Sequence, residues 1–133
     1  MIDTGPDDDL ERRREAFERL VADALATIPS PFAEQLATVA ILIEDEPLPG
    51  QEQPGTRLFG RYEGVPRTAW GADGAPLPSR IIIFRRAHEE AHPDELGRSE
   101  RVRSTVLHEL AHHLGIDEAR IRSIESDRRQ PSR

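Results

Sequence analysis

The residues of this chain best suited to chemistry are His108, Glu109 and His112, which form an H-E-x-x-H pattern. Two histidines four residues apart lie on one face of an α-helix, so both rings can turn a nitrogen toward a single metal ion. Glu109 lies at the flank of that face, where its carboxylate can take a proton from a water without binding the metal. The pattern therefore predicts a zinc site in which Glu109 is a general base.

The residues after His112 offer a third ligand. Gly115 lets a helix end and its chain reverse, because glycine adopts positive φ at little steric cost. We predict that the reversal brings Glu118 back as a carboxylate ligand, which leaves a fourth zinc position for water. We predict Asp117 as the N-cap of a final helix over residues 118–126. Two alternatives stay open: Asp117 competes for the ligand position, and Glu118 also fits an ordinary acid in a first helical turn.

Two further residues are candidates for supporting roles. His113 is turned about 100° from His112 around the helix, so we expect it to pack or to orient a ligand rather than to bind the metal. Tyr62 could donate a hydrogen bond to the oxyanion of a transition state. A tyrosine in the core or at the rim of the site is the favoured interpretation of Tyr62.

Residues 88–92 contain a second H-E-x-x-H, so the five-residue pattern does not by itself identify the site. Pro93 follows His92 directly and disfavours a helical backbone there. The segment also lacks the flanking apolar periodicity of a packed helix, and we predict a polar turn. The motif at His108 is different, because apolar residues at helical spacing surround it and predict a helix anchored on a core.

Composition restricts the remaining functions. The net charge of −7 disfavours a nucleic-acid partner, since binding a polyanion requires a basic surface. The chain has no cysteine, so zinc must be held by histidine and carboxylate. The acidic N-terminus has no apolar run typical of a secretory signal, and no segment has the length of a membrane span. We expect a cytoplasmic protein with no membrane partner, and the sequence does not indicate its oligomeric state.

The elements that must position the motif are one long helix, three strands and the motif helix. Apolar residues from Leu10 to Ile28 recur at helical spacing after an acidic start, and Pro29 closes that helix. Residues 32–37 extend a short helical turn. Strands are predicted at residues 39–43, 57–63 and 80–86, the first of them buried. This order predicts an α+β domain with helices on one side of a small sheet.

The motif region resembles the zincin metallopeptidases, and within them the small bacterial mini-zincins. Residues 108–118 match their pattern of histidines, glycine and an acidic third ligand, where the family usually carries aspartate and this chain has Glu118. Residues 58–66 and 77–85 resemble the region that precedes the motif, and the match covers roughly residues 38–126. A metzincin is a poor match, because its third histidine and its Met-turn are missing. A gluzincin is also a poor match, since past Glu118 only Glu125 could supply its later glutamate.

The resemblance implies a zincin-like fold: an N-terminal helix, a small twisted mixed sheet of three to four strands, the active-site helix and a C-terminal helix. It also implies that the strand at residues 81–84 borders the cleft, where it can pair with an extended peptide. We expect a single domain over residues 1–126 and a disordered tail over residues 127–133.

Three functions compete on this sequence. The first is a Zn2+-dependent peptidase acting on a peptide or protein substrate, with His108, His112 and Glu118 as ligands and Glu109 as base. The second is an inactive zincin-like module that binds zinc or a partner protein. The third is a metal-free structural protein with incidental histidines. The first is preferred, the second follows and the third comes last, because an H-E-x-x-H in this context is strong evidence for a metal and weaker evidence for turnover.

Overall fold

A computed structural model describes residues 5–64, 78–117, 119–121 and 123. In chain order the helices and strands are α1 (Pro6–Ala26), α2 (Phe32–Gln35), a 3-10 turn (Leu36–Thr38), β1 (Ala40–Glu44), β2 (Gly60–Glu63), β3 (Arg80–Phe84), α3 (Arg85–Ala91) and α4 (Glu95–Leu114). The predicted α+β class and small mixed sheet are confirmed. The predictions for the 127–133 tail and for Glu118 lie outside the described residues.

Helix α1 forms as its sequence predicts. Pro6 occupies its first turn with three acids, where negative charge is favoured by the helix dipole. Its apolar face is buried, and the helix ends where the Thr27 hydroxyl donates to the Ala24 carbonyl at 2.6 Å. The same face packs against α4, so α1 forms one wall of the core behind the motif.

The sheet has the order β1-β3-β2, with β1 parallel and β2 antiparallel to β3. The central strand is buried on both faces, which explains its unbroken apolar run. Ile81 and Ile83 join the core under α1 and α4, while Ile82 and Phe84 pack with Ala87.

Two expectations about the sheet are wrong. The strand predicted as buried over residues 39–43 is β1, whose residues alternate between exposed and half-buried. Among the described strands β1 lies at the edge of the sheet and pairs with β3 alone. The strand at residues 81–84 has no free edge for a peptide, since β3 pairs with β1 over residues 80–84 and with β2 over residues 80–83. The strand at the sheet edge that packs on α4 is β2.

The segment predicted as a polar turn is helix α3, and its first histidine is a core residue. His88 is fully buried, with its ring near the rings of Phe17 and Phe59. Burial lowers the pKa of His88 to about 4, so the ring is neutral. Nδ1–H then donates to the Phe84 carbonyl at 2.8 Å, and Nε2 lies 3.0 Å from the Thr105 hydroxyl, whose single hydrogen is shared with the Arg101 carbonyl at 2.9 Å.

Helix α4 carries the motif and has a defined start and end. The Asp94 side chain accepts a hydrogen bond from the Gly97 amide at 2.8 Å, which caps the first turn. The predicted apolar stripe faces the core, with Val102, Val106 and Leu110 fully buried. Gly115 ends the helix at φ 71°, as the sequence predicted.

Within the described parts of the chain, no helix has the length and apolar character that crossing a membrane requires.

Candidate metal centre

His108, Glu109 and His112 come together near the C-terminal end of α4. Their side-chain ligand atoms all lie within 4.8 Å of one another. The Glu109 carboxylate lies between the rings, with Oε2 at 3.8 Å from His108 Nε2 and Oε1 at 3.3 Å from His112 Nδ1. The two ring centroids are 5.0 Å apart. The predicted juxtaposition of the three side chains is therefore present, and their roles as ligands and base stay predictions.

The three side chains differ in their exposure to solvent. The His108 and His112 side chains are 42% and 54% exposed, whereas the Glu109 side chain is only 8% exposed. Two imidazoles that face solvent from successive helical turns can receive an ion from outside without rebuilding the core. Imidazole nitrogens and a nearby carboxylate are also the donor types that zinc accepts when no thiolate is present. The chemistry of this donor set fits a zinc ion.

Glu109 is buried because strand β2 lies directly against α4. A Cβ added at Gly60 would lie 2.5 Å from Thr105 Cγ2 and 3.5 Å from Glu109 Cγ. Only glycine lets the strand approach the helix this closely. Sequence reasoning did not identify Gly60, although a glycine inside a predicted strand often marks such a close approach.

His113 lies on the buried side of α4 and ties the helix to the sheet. It is fully buried, with Nε2 at 2.8 Å from Thr38 Oγ1 and Nδ1 at 3.0 Å from the Tyr62 hydroxyl. Because the Thr38 hydroxyl donates to the Gln35 carbonyl at 2.6 Å, it accepts from His113 Nε2–H. His113 Nδ1 is hydrogen bonded to the Tyr62 hydroxyl, which also donates to Ser79 Oγ at 3.1 Å. This pairing fixes the rotation of α4 and hence the direction of the neighbouring His112.

Tyr62 belongs to the same network. Its hydroxyl lies 3.1 Å from Ser79 Oγ as well as 3.0 Å from His113 Nδ1. The structure therefore brings Tyr62 together with His113 on the buried side of α4, away from the half-exposed histidine pair. Its role as an oxyanion donor stays a prediction.

The chain reverses after Gly115 as the sequence predicted. The Gly115 and Ile116 amides donate to the carbonyls of His112 and Ala111 at 3.1 and 3.0 Å, which closes the helix end. Asp117 Oδ1 accepts from the Arg120 amide at 2.8 Å, the contact expected of an N-cap, and residues 119–121 are helical. Asp117 thus has a local structural partner. Glu118, the preferred third ligand, lies outside the described residues.

A cavity of about 300 Å³ adjoins the cluster. One wall is the segment 57–60, which leads into β2, and the other is the exposed side of α4. The α4 residues that line it are Arg101, Ser104, Thr105, His108 and Glu109. The cavity joins two members of the cluster to a space large enough for part of a ligand.

Comparisons with known proteins cover most of the chain. The family model described as zincin-like metallopeptidase matches residues 36–128. A solved structure of a conserved hypothetical protein from Thermo thermophilus is similar, with a TM-score of 0.53 and 25% identity over 86% of this chain and 98% of that chain. No curated protein matches the chain. The matched residues include the whole sheet and all of α4.

Proposed function

Because the chain belongs to the zincin-like metallopeptidase family, we propose that it is a zinc-dependent peptidase. In this proposal His108, His112 and Glu118 hold the metal, and Glu109 is the general base. The proposal depends chiefly on Glu109, whose buried carboxylate lies between two half-exposed imidazoles. Membership of a peptidase family implies a peptide or protein substrate.

The metal and the glutamate have separate tasks. Zinc, when bound, supplies the Lewis acidity that makes a water nucleophilic and polarises the carbonyl of the peptide bond to be cleaved. Glu109 accepts the proton of the attacking water and then returns it to the leaving nitrogen. The close approach of Gly60 limits the positions open to the Glu109 side chain. A carboxylate held in this way needs little rearrangement before it accepts the proton.

We propose that the peptide main chain lies along β2. Among the described strands β2 is at the edge of the sheet, and it packs on α4. An extended peptide can add to such an edge through main-chain hydrogen bonds. The segment 57–60 also lines the cavity with His108 and Glu109, which would bring a peptide on this edge next to the general base.

The test combines metal analysis with cleavage of a peptide library. We expect about one zinc per chain, cleavage that stops when a chelator removes the metal, and recovery when zinc is returned. Glu109→Gln should keep the zinc and lose roughly 10²- to 10⁴-fold in kcat/KM, because the proton acceptor is gone. Glu89→Gln changes the glutamate of the other H-E-x-x-H and should keep cleavage.

Two results would count against this proposal. Stoichiometric zinc with no cleavage of any library member would favour an inactive zinc-binding module. Protein purified without zinc, and unable to bind added zinc, would contradict both the peptidase and that module.

A further inference from the structure

One arginine that lines the cavity beside the cluster has a side-chain nitrogen without a hydrogen-bond partner among the described residues. Arg101 lines this cavity together with His108 and Glu109. Its Nε atom is buried and has no hydrogen-bond partner among those residues. Buried polar groups in folded proteins almost always have a partner, so an arginine of this kind in a cavity points to a ligand.

Phe59 holds the Arg101 side chain in place without neutralising it. The guanidinium carbon lies 4.0 Å from the centroid of the Phe59 ring, a cation–π contact. Stacking covers one face of the guanidinium and Nε is buried, so an acceptor in the plane would bind the N–H groups of the two Nη atoms. Arg101 is therefore held in position by the ring, and among the described residues it forms no ion pair within 4.0 Å.

The other arginine of the cavity is different. Arg57 also lines this space, but its Nη2 lies 2.7 Å from Glu90 Oε1 in an ion pair. Both arginines line the cavity, but of the two only Arg57 is paired with a carboxylate of the described residues. Arg101 is thus the group that would attract an anion, and Arg57 provides a matched control.

The position of Arg101 on α4 fixes its distance from the scissile bond. Arg101 precedes His108 by two helical turns, so both lie on one face and about 10 Å apart along the axis. An extended peptide advances roughly 3.4 Å per residue. Since both side chains can lean toward each other, a group bound at Arg101 belongs to a residue two or three positions from the bond cleaved at the cluster.

We infer that Arg101 binds a carboxylate of the substrate, two or three residues from the scissile bond. The inference rests on the proposed peptidase function and names its specificity. A planar guanidinium stacked on a ring can form two parallel hydrogen bonds to a carboxylate, a geometry that neutral side chains do not match. The carboxylate can come from an aspartate or glutamate side chain, or from the C-terminus of a peptide.

Peptide series separate the two sources. One series moves a single glutamate through the three positions on each side of a cleaved bond, with glutamine at the same positions as the control. A second series keeps neutral side chains and compares free with amidated C-termini at varied distance from the bond. We expect roughly tenfold or greater preference for the carboxylate at one position two or three residues from the bond.

Variants connect that preference to Arg101. Arg101→Gln should remove it, so that the charged and neutral peptides are cleaved with similar kcat/KM. Arg101→Lys should keep part of it, because the charge remains but the planar fork is lost. Arg57→Gln should leave the ratio in place. A preference that persists in Arg101→Gln with normal zinc content, or no preference in the wild type, would overturn the inference.

Binding measurements distinguish this failure from failure of the proposed function. Fluorescence anisotropy of the same labelled peptides on the Glu109→Gln protein reports carboxylate recognition without turnover. An Arg101-dependent preference in binding, with no cleavage by the wild type, would refute the peptidase and retain the carboxylate site. Cleavage without such a preference in either assay would retain the peptidase and refute the carboxylate site.

Discussion

The chain contains two H-E-x-x-H segments, and the fold gives them opposite environments. In the first, on α3, His88 is fully buried and both ring nitrogens have hydrogen-bond partners within the protein. In the second, on α4, His108 and His112 are about half exposed on one face. The same five-residue pattern therefore provides a core histidine in one place and a candidate metal centre in the other.

The position of the helix end explains part of the difference. Helix α3 ends at Ala91, and His92 has φ −132° and ψ 86°, so its two histidines do not share a helical face. Pro93 disfavours helical geometry at His92, as expected from the sequence. Helix α4 continues to Leu114, past both of its histidines. A helical metal site needs a helix that extends beyond the second histidine.

The largest effect should separate the second histidines of the two segments. His112→Ala removes an expected ligand and should lower zinc affinity more than about 100-fold, beyond the loss typical of residues that only orient a ligand. Cleavage should fall with the metal. His92→Ala, the matched change in the first segment, should keep stoichiometric zinc by elemental analysis. Equal zinc loss in both variants, with both folded by circular dichroism, would contradict the assignment.

A second effect concerns the buried histidine of the first segment. Burial lowers the folded-state pKa of His88 to about 4, below its ordinary value of 6.5. Between these values the unfolded chain binds a proton that the folded protein does not, so stability falls as pH falls through this window. At 1.36 kcal/mol per pKa unit, the contribution of neutral His88 to the free energy of unfolding should fall by about 3 kcal/mol between pH 7 and pH 4.

Denaturant titrations of the metal-free protein across this pH range measure the loss. His88→Gln should be less stable than the wild type at pH 7 and should have a shallower dependence on pH between 6.5 and 4. Asp45 provides a contrast, since hydrogen bonds from Arg14 and Arg85 lower its pKa to about 2 from 3.8. The ionised Asp45 carboxylate stabilises the fold above pH 3.8, and this stabilisation is lost as pH falls toward 2. Identical slopes for the wild type and His88→Gln would contradict the assignment of this window to His88.

Sequence periodicity predicted the elements whose apolar residues are buried. Hydrophobic spacing predicted helix α1, strand β3 and helix α4, because in these elements apolar character and burial coincide. Their ends were less accurate: β3 stops at Phe84 instead of residue 86, and α4 begins at Glu95, before its apolar stripe. The pair His108 and His112 could be predicted for the same reason, since their helix has a continuous apolar stripe. The edge position of β2 could not, because strand order depends on packing between distant segments.

Helix α3 was missed because two of its three buried residues, Arg85 and His88, are polar. Arg85 is only 3% exposed and pairs with Asp45 at 2.9 Å and with Glu89, while His88 is paired with Thr105. A sequence with arginine and histidine at these positions indicates a solvated segment unless the partners are known. Glu89 lies in α3 itself, but Thr105 belongs to α4 and Asp45 directly follows β1, and both are far from α3 in sequence. Local patterning therefore could not predict this helix.

The smallest predicted effect concerns the contact between Gly60 and Thr105. Thr105 lies on α4 with the second H-E-x-x-H and is hydrogen bonded to His88 of the first. Thr105 Oγ1 is hydrogen bonded to His88, and Thr105 Cγ2 is the atom that an added Cβ at Gly60 would meet at 2.5 Å. Gly60→Ala should therefore move β2 away from α4, at a cost of about 1–2 kcal/mol in stability. It should also lower kcat/KM several-fold, because the wall that confines Glu109 shifts.

Thr105→Ser should relieve part of this effect, since serine lacks Cγ2 but keeps the hydroxyl that His88 needs. In a double-mutant cycle the Gly60→Ala/Thr105→Ser protein should be more stable than the sum of the single changes predicts. Denaturant unfolding and zinc-loaded kcat/KM measure the two parts. Simple additivity would show that the Gly60 contact is not made through the Thr105 methyl. In that case the contact that limits a side chain at Gly60 would be with the Ile82 carbonyl, the next atom that the added Cβ meets, at 3.1 Å.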